Sequence, residues 1–265
     1  MSLPKEPFYF EYQQGEYSTD DYHRMYFSHY TGEPIVGEAR HRNLFLPYVA
    51  ERIRAYNPAA KVIILLRPPV ERAFSHWLMW YQMDRLSKPF LITVLSQFLS
   101  FGRARYSTEE SYARLVQAHG EACLEWIDRE TILESGLYAE SVCRYLSLFG
   151  REQILVVRMQ AYIADRIAVL AQIRRFLELD EVDLSELAEI PPLNQGSPGY
   201  TLRVGVPWGY KRWLPQWLLA HVRKKLKRPK AVSPVARAFL SAYYWNDQRR
   251  LKKVLKNAQS IGYRP

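Results

Sequence analysis

Residues 61–77, KVIILLRPPVERAFSHW, place a short apolar run directly before a helical pattern. The stretch 61–67 is rich in β-branched residues and too short for a buried helix, so it predicts a buried β-strand. Pro69 has the backbone φ that is favoured at the first position of a helix. The helix that follows carries an apolar face at helical spacing: Val70, Ala73, Phe74 and Trp77.

Arg67 stands at the end of this predicted strand, where parallel α/β proteins bind anions. Its planar guanidinium can hold a phosphate, and Ser75, eight residues later, can add a hydroxyl from the helix. Each charge-assisted hydrogen bond of this kind contributes on the order of 1.5–3 kcal/mol. By spacing alone Arg67 can instead pair with Glu71 across the turn, so both interpretations stay open.

Strand and helix patterns alternate along the rest of the chain. Short apolar runs predict further strands at 34–38 and 153–159. This alternation predicts an α/β fold with a parallel central sheet flanked by helices. At 265 residues, 48% of them hydrophobic, the chain is expected to form a single domain, 1–265. The helical patterns cover 44–56, 70–82, 108–127, 137–149, 163–178 and 233–257.

The net charge of +10 is concentrated in the C-terminal third of the chain. Between residues 191 and 246 there are ten Arg and Lys residues and no Asp or Glu. This imbalance predicts an anionic partner. Nucleic acid is not expected, because no recognition motif accompanies the charge.

The sequence lacks the motifs of several common enzyme classes. GxxxxGK[ST] and GxGxxG are absent, and so are HExxH and GxSxG. Cys123 and Cys143 lie in helical patterns without CxxC spacing, so neither a disulfide framework nor a metal site is expected. No signal-peptide pattern is present, and no apolar run approaches the roughly 18 residues of a membrane span. We therefore expect a soluble, cytoplasmic protein.

The stretch AKVIILLRPPVERAFSHW, preceded by GEARHRNLFLPYVAERIRAYNP, resembles the sulfotransferases that use 3′-phosphoadenosine 5′-phosphosulfate (PAPS). Within them it is similar to the heparan-sulfate-type and bacterial carbohydrate branch, and the resemblance continues through 134–179, PPLNQGSPG and SPVARAFLSAYY. It implies a P-loop-like sulfotransferase fold that moves a sulfuryl group from PAPS to a hydroxyl or amine of a carbohydrate or other small acceptor. Arg67 and Ser75 would bind the 3′-phosphate of PAPS and of its product, adenosine 3′,5′-bisphosphate (PAP).

The same resemblance implies a catalytic base near the N-terminus. KEPFYF, residues 5–10, is similar to the family's Lys-Glu-x-x-x-Phe stretch, which makes Glu6 the base. Family members often carry a lysine where this chain has Ala39, so Arg40 and Arg42 are expected to supply cations at the substrate. In the family, a strand and a phosphosulfate-binding loop come before the glutamate, whereas residues 1–4 precede KEPFYF here. We therefore expect this form to transfer sulfuryl groups poorly or not at all, and a form extended at its N-terminus to be active.

Residues 208–228, WGYKRWLPQWLLAHVRKKLKR, combine tryptophans at helical spacing with many cations. Such a segment can pack into the core, lie on a membrane surface, or close over the nucleotide with Lys225, Lys227 and Arg228, as a basic loop of the resembling family does. Two functional classes therefore stay open. The first is a PAPS-dependent sulfotransferase, and the second is a non-catalytic binder of nucleotides or anions on the same scaffold, or a basic membrane-surface module. Variable loops such as 83–107 would contact the acceptor, so the sequence does not name it.

Overall fold

The computed structural model of the chain describes residues 1–3, 6–11, 17–83, 85–100, 129–181, 183–184, 231–256 and 258–262, with the single positions 114, 117 and 127. Within these residues, strands and helices alternate. The strands are β1 (Val62–Leu66), β2 (Ile154–Arg158) and β3 (Gln259–Ile261). The helices are α1 (Thr19–Tyr26), α2 (His41–Phe45), α3 (Val49–Tyr56), α4 (Pro69–Gln82), α5 (Phe90–Ser100), α6 (Tyr138–Leu148), α7 (Met159–Ala164), α8 (Arg166–Phe176) and α9 (Pro234–Leu255).

The described strands form a parallel sheet in the order β1-β2-β3. β1 pairs with β2 from Val62 opposite Ile154 to Leu66 opposite Arg158. Because all pairs are parallel, the carboxyl ends of the strands meet at one edge of the sheet. Arg67, which follows β1, therefore lies at the edge where α/β proteins bind their ligands.

Helices cover both faces of the sheet. On one face, Ile64 and Leu66 of β1 and Val156 of β2 pack against side chains of α3, α6 and α9. On the other face, Leu155 and Val157 pack against α8. This arrangement confirms the predicted α/β fold. On β1, which lies at an edge of the described sheet, Ile63 and Leu65 remain 38% and 49% exposed.

The strand and helix predicted at 61–77 are both present. β1 spans Val62–Leu66, and α4 begins at Pro69 as expected. The predicted apolar face of α4 is confirmed, since Val70, Ala73 and Trp77 are buried and Phe74 packs against the same cluster.

Two of the predicted helices are each interrupted, and in both cases a single residue explains the break. The pattern at 44–56 forms α2 and α3, because Pro47 has no backbone N–H and forces Leu46 into an extended conformation. The pattern at 163–178 forms α7 and α8, which meet at Asp165. The Asp165 side chain caps α8 by accepting a hydrogen bond from the Ala168 N–H at 2.9 Å.

The strand predicted at 34–38 is wrong. The backbone there is irregular, and Ile35 and Val36 are 40% and 46% exposed, so their apolar pattern does not report burial in a sheet. The structure adds α1, α5 and β3, which the sequence patterns did not predict. Most of the helix expected at 108–127 lies outside the described residues.

Candidate active site

Arg67 lies at the carboxyl edge of the sheet with its side chain exposed. Its backbone carbonyl accepts a hydrogen bond from Tyr138 Oη at 3.0 Å, which ties the end of β1 to the start of α6. Glu71 does not pair with Arg67, because its Oε1 accepts a hydrogen bond from Arg237 Nη1 of α9 at 2.7 Å. Among the described residues, no carboxylate lies within ion-pair distance of Arg67, so the alternative of an Arg67–Glu71 pair is wrong.

Ser75 lies in the second turn of α4 and is partly buried. Arg67 and Ser75 therefore flank the N-terminus of one helix, whose first turn has backbone N–H groups without helical partners. Such a helix start favours an anion through those N–H groups and through the helix dipole. In the described structure no hydrogen bond joins Arg67 to Ser75, and neither contacts Glu6.

Glu6 lies in a second cluster, where it meets the start of α2. Its Oε2 accepts a hydrogen bond from His41 Nδ1 at 2.9 Å and one from Arg40 Nη1 at 3.3 Å. The Glu6 side chain is 47% exposed, so a substrate can reach its carboxylate. The Glu6 backbone has φ +62°, in the left-handed region that few side chains adopt.

The surroundings of Glu6 lower the pKa of its carboxyl group. The hydrogen bond from His41 is the largest cause. Burial opposes it, and the charges of His41 and Arg40 add to the lowering. The carboxylate is therefore ionised at neutral pH, as a base that accepts a proton must be.

Arg40 and Arg42, expected at the substrate, are held together by Glu11. Arg40 donates to Glu11 from Nε at 2.6 Å and from Nη2 at 3.1 Å, and Arg42 Nη1 lies 3.1 Å from Glu11 Oε2. The side chains of Arg40 and Arg42 are only 6% and 8% exposed. The structure thus brings Glu6, Arg40 and Arg42 together and shows that both guanidinium groups are largely buried.

Glu11 and His41 are members of this cluster that sequence reasoning missed. The available signal for Glu11 was a single carboxylate beside the aromatic run at 8–10, five residues after Glu6. His41 stands between the two arginines that were singled out. Neither signal is specific for membership of this cluster, because residues 6–11 meet α2 only in the folded chain.

Contacts with α1 and α3 hold residues 6–11 in place. Tyr48 Oη donates to the Glu11 carbonyl at 3.3 Å, and Arg52 Nη1 donates to the Phe10 carbonyl at 3.0 Å. The ring of Tyr9 stacks on Tyr22 of α1 with 4.3 Å between centroids. This packing fixes residues 9–11, next to the Glu11 carboxylate.

Lys225, Lys227 and Arg228, and with them the whole segment 208–228, lie outside the described residues. Within the described ranges, no group of His, Cys, Asp and Glu side chains could hold a metal ion. Within the same ranges, no helix is both long and apolar enough to span a membrane.

Comparisons with known proteins identify relatives of this chain. The chain is 24% identical over 139 residues to carbohydrate sulfotransferase 15 of Mus musculus and of Homo sapiens. This alignment covers 48% of the chain and only 22% of each relative. The crystal structure of a sulfotransferase from Alicyclobacillus acidocaldarius superposes with a TM-score of 0.57 at 25% identity, over 90% of this chain and 71% of that one. Residues 38–189, more than half of the chain and including β1, α4 and β2, match the sulfotransferase domain, and the chain therefore belongs to the sulfotransferase domain family.

Proposed function

We propose that the chain transfers a sulfuryl group from PAPS to a hydroxyl or amine of a carbohydrate or another small acceptor. Membership in the sulfotransferase domain family supports the reaction class. The names of the curated relatives support a carbohydrate acceptor. In this proposal Arg67 and Ser75 bind the 3′-phosphate of the nucleotide, and Glu6 is the base.

The exposed guanidinium of Arg67 is the observation that carries the proposal. It stands at the start of α4, and the nearest candidate partner in sequence, Glu71, is bound to Arg237 instead. A cation kept available at a helix N-terminus is suited to a phosphate group. Arg67 therefore does not form the ion pair with Glu71 that would be its ordinary structural role.

Glu6 supplies the proton acceptor that sulfuryl transfer requires. In the proposed step the acceptor O–H or N–H gives its proton to the Glu6 carboxylate while its oxygen or nitrogen forms a bond to sulfur. The bond between sulfur and the 5′-phosphate oxygen breaks, and its electron pair leaves with PAP. His41 and Arg40 hold the Glu6 carboxylate and keep it ionised. Direct contact of Arg40 or Arg42 with substrate, and closure by Lys225, Lys227 and Arg228, stay predictions.

The test measures transfer of labelled sulfate from PAPS to a panel of carbohydrates by the wild type and by Glu6→Gln. We expect Glu6→Gln to lower kcat by about 10²-fold or more, because general-base catalysis contributes about 10²–10⁴-fold. The affinity for PAP, measured by calorimetry, should be unchanged, since Glu6 does not contact Arg67 or Ser75.

Glu178→Gln is a matched control. Glu178 also has a left-handed backbone, with φ +59°, and forms an ion pair with Lys61 at 2.9 Å, just before the start of β1. This control should keep wild-type turnover. Equal turnover by wild type and Glu6→Gln would overturn the role of Glu6. PAP binding by a wild type that transfers no sulfuryl group to any acceptor would instead favour a non-catalytic binder.

A further inference from the structure

Glu11 is the most deeply buried carboxylate of the cluster, with a side chain that is 1% exposed. An ionised carboxylate at such depth needs partners, because desolvation of a lone charge costs several kcal/mol. Glu11 has two, the guanidinium groups of Arg40 and Arg42. Its own backbone is held as well, since the Tyr48 hydroxyl donates to its carbonyl and its N–H donates to the Phe8 carbonyl at 2.9 Å.

Arg40 connects this buried carboxylate to Glu6. Two of its nitrogens, Nε and Nη2, donate to the two oxygens of Glu11, at 2.6 and 3.1 Å. The remaining nitrogen, Nη1, donates to Glu6 Oε2 at 3.3 Å and to the Glu6 carbonyl at 3.4 Å. A guanidinium is planar, so a carboxylate that holds one side of it also fixes the direction of the other side.

We propose that Glu11 is a positioning residue of the sulfuryl-transfer centre, which fixes the carboxylate of Glu6 through Arg40. The inference rests on the proposed role of Glu6 as base. Glu11 itself takes no proton and touches no reacting atom. Its function is to hold Arg40 in one orientation, so that Glu6 keeps both its hydrogen bonds and its left-handed backbone.

The need for such support follows from the position of Glu6. Its side chain is 47% exposed, and apart from Arg40 the described contact of its carboxylate is with His41, which is itself 53% exposed. A displacement of about 1 Å in a reacting group can lower a rate by about 10²-fold. A buried residue that restrains Arg40 therefore acts on the rate without contact with the substrate.

The test uses Glu11→Asp, which keeps the negative charge and withdraws the carboxylate from Arg40 by one methylene. We expect kcat to fall about tenfold or more, with KM and the calorimetric affinity for PAP within about twofold of the wild type. A structural role alone would lower the thermal midpoint and leave the kcat of the folded enzyme unchanged. That outcome would overturn the proposal.

Glu38→Asp is the matched control. Glu38 is a second, partly buried carboxylate near Glu11 and Arg40, and it accepts hydrogen bonds from Tyr22 Oη at 2.5 Å and from Asn43 Nδ2 at 2.8 Å. The same shortening at position 38 should lower stability and leave kcat unchanged. If both variants lower kcat equally, the effect belongs to general loosening of the cluster, and the proposal fails.

A second readout does not depend on activity. The carboxyl group of Glu6 can be followed by ¹³C NMR, with its signal assigned by its loss in Glu6→Gln. The described groups that face it are His41 and Arg40, so loss of the Arg40 contact in Glu11→Asp should raise the pKa of Glu6. An unchanged titration would overturn the positioning role even if the wild type proves inactive, and a wild type without turnover would by itself count only against the proposed function.

Discussion

At the scale of single residues, Arg67 and Glu6 differ in the contacts that neighbouring residues make with them. Arg67 is exposed and, among the described residues, has no carboxylate partner, whereas Glu6 is surrounded by residues that fix its charge and direction. Binding of a phosphate needs an available cation, because the ligand supplies the counter-charge. A base needs a fixed position and a defined protonation state before the substrate arrives.

The pH dependence of the reaction tests how Glu6 is held. His41 and Arg40 lower its pKa, so in the wild type the carboxylate stays ionised as pH falls to values at which an unassisted carboxyl group would take up a proton. His41→Ala removes the largest lowering effect. We therefore expect the acid limb of kcat/KM to move to higher pH in His41→Ala, with little change in kcat at the alkaline end.

His41→Gln is the control for this measurement. Its amide N–H can replace the hydrogen bond but not the positive charge, so its acid limb should fall between those of the wild type and His41→Ala. An acid limb that is the same in all three proteins would mean that Glu6 does not limit the reaction at low pH.

At the scale of elements, the start of α6 depends on a residue more than a hundred positions away. The two side-chain oxygens of Asp247, on α9, accept hydrogen bonds from the backbone N–H groups of Tyr138 and Ala139, both at 3.0 Å. These N–H groups belong to the first turn of α6, where no helical carbonyl can accept them. Because Tyr138 also contacts the carbonyl of Arg67, this cap supports the candidate phosphate site.

Replacement of Asp247 measures the contribution of this cap. Asp247→Ala should lower the free energy of unfolding by about 1–2 kcal/mol, as loss of a helix cap commonly does. Asp247→Asn should cost less, because the amide oxygen still accepts one bond and because burial raises the pKa of the Asp247 carboxyl, so that its ionised form is disfavoured in the fold. Urea denaturation gives both values, and equal stability of Asp247→Ala and wild type would contradict the assignment.

Elements that are determined by their own residues could be predicted from the sequence. Elements that depend on contacts with distant parts of the chain could not. The strand–proline–helix order of residues 62–82 is encoded within those residues, and it is present as expected. The pattern at 34–38 is also apolar, but no strand among the described residues pairs with it, and Ile35 and Val36 are exposed. The capping box that begins α1, formed by Ser18 and Asp21, is also local and could have been recognised.

Some residues of the candidate site could likewise be predicted from nearby sequence, and others could not. Arg67 and Ser75 belong to one local motif and could be proposed from spacing. The contact of Glu6 with Arg40 and His41 joins positions more than thirty residues apart, and only the resemblance to known sulfotransferases suggested Glu6. Glu11 had no motif at all, because its role depends on two arginines that folding brings to it.

At the scale of the whole molecule, the central claim is that the junction of β1 and α4 binds a nucleotide through its 3′-phosphate. The sheet places Arg67 at its carboxyl edge, and α4 contributes Ser75 and a helix N-terminus. Both β1 and α4 lie within residues 38–189, which match the sulfotransferase domain. PAP and adenosine 5′-monophosphate differ only in the 3′-phosphate, so together with Arg67→Ala they isolate this contact.

The most direct measurement is calorimetric titration of both nucleotides into the wild type, Arg67→Ala and the control Arg24→Ala, whose arginine is exposed on α1. The wild type and Arg24→Ala should prefer PAP. Arg67→Ala should bind PAP at least about tenfold more weakly, as loss of a charge-assisted bond of about 1.5 kcal/mol or more requires, and should bind adenosine 5′-monophosphate as the wild type does. A preference for PAP that is the same in the wild type and in Arg67→Ala would contradict the account.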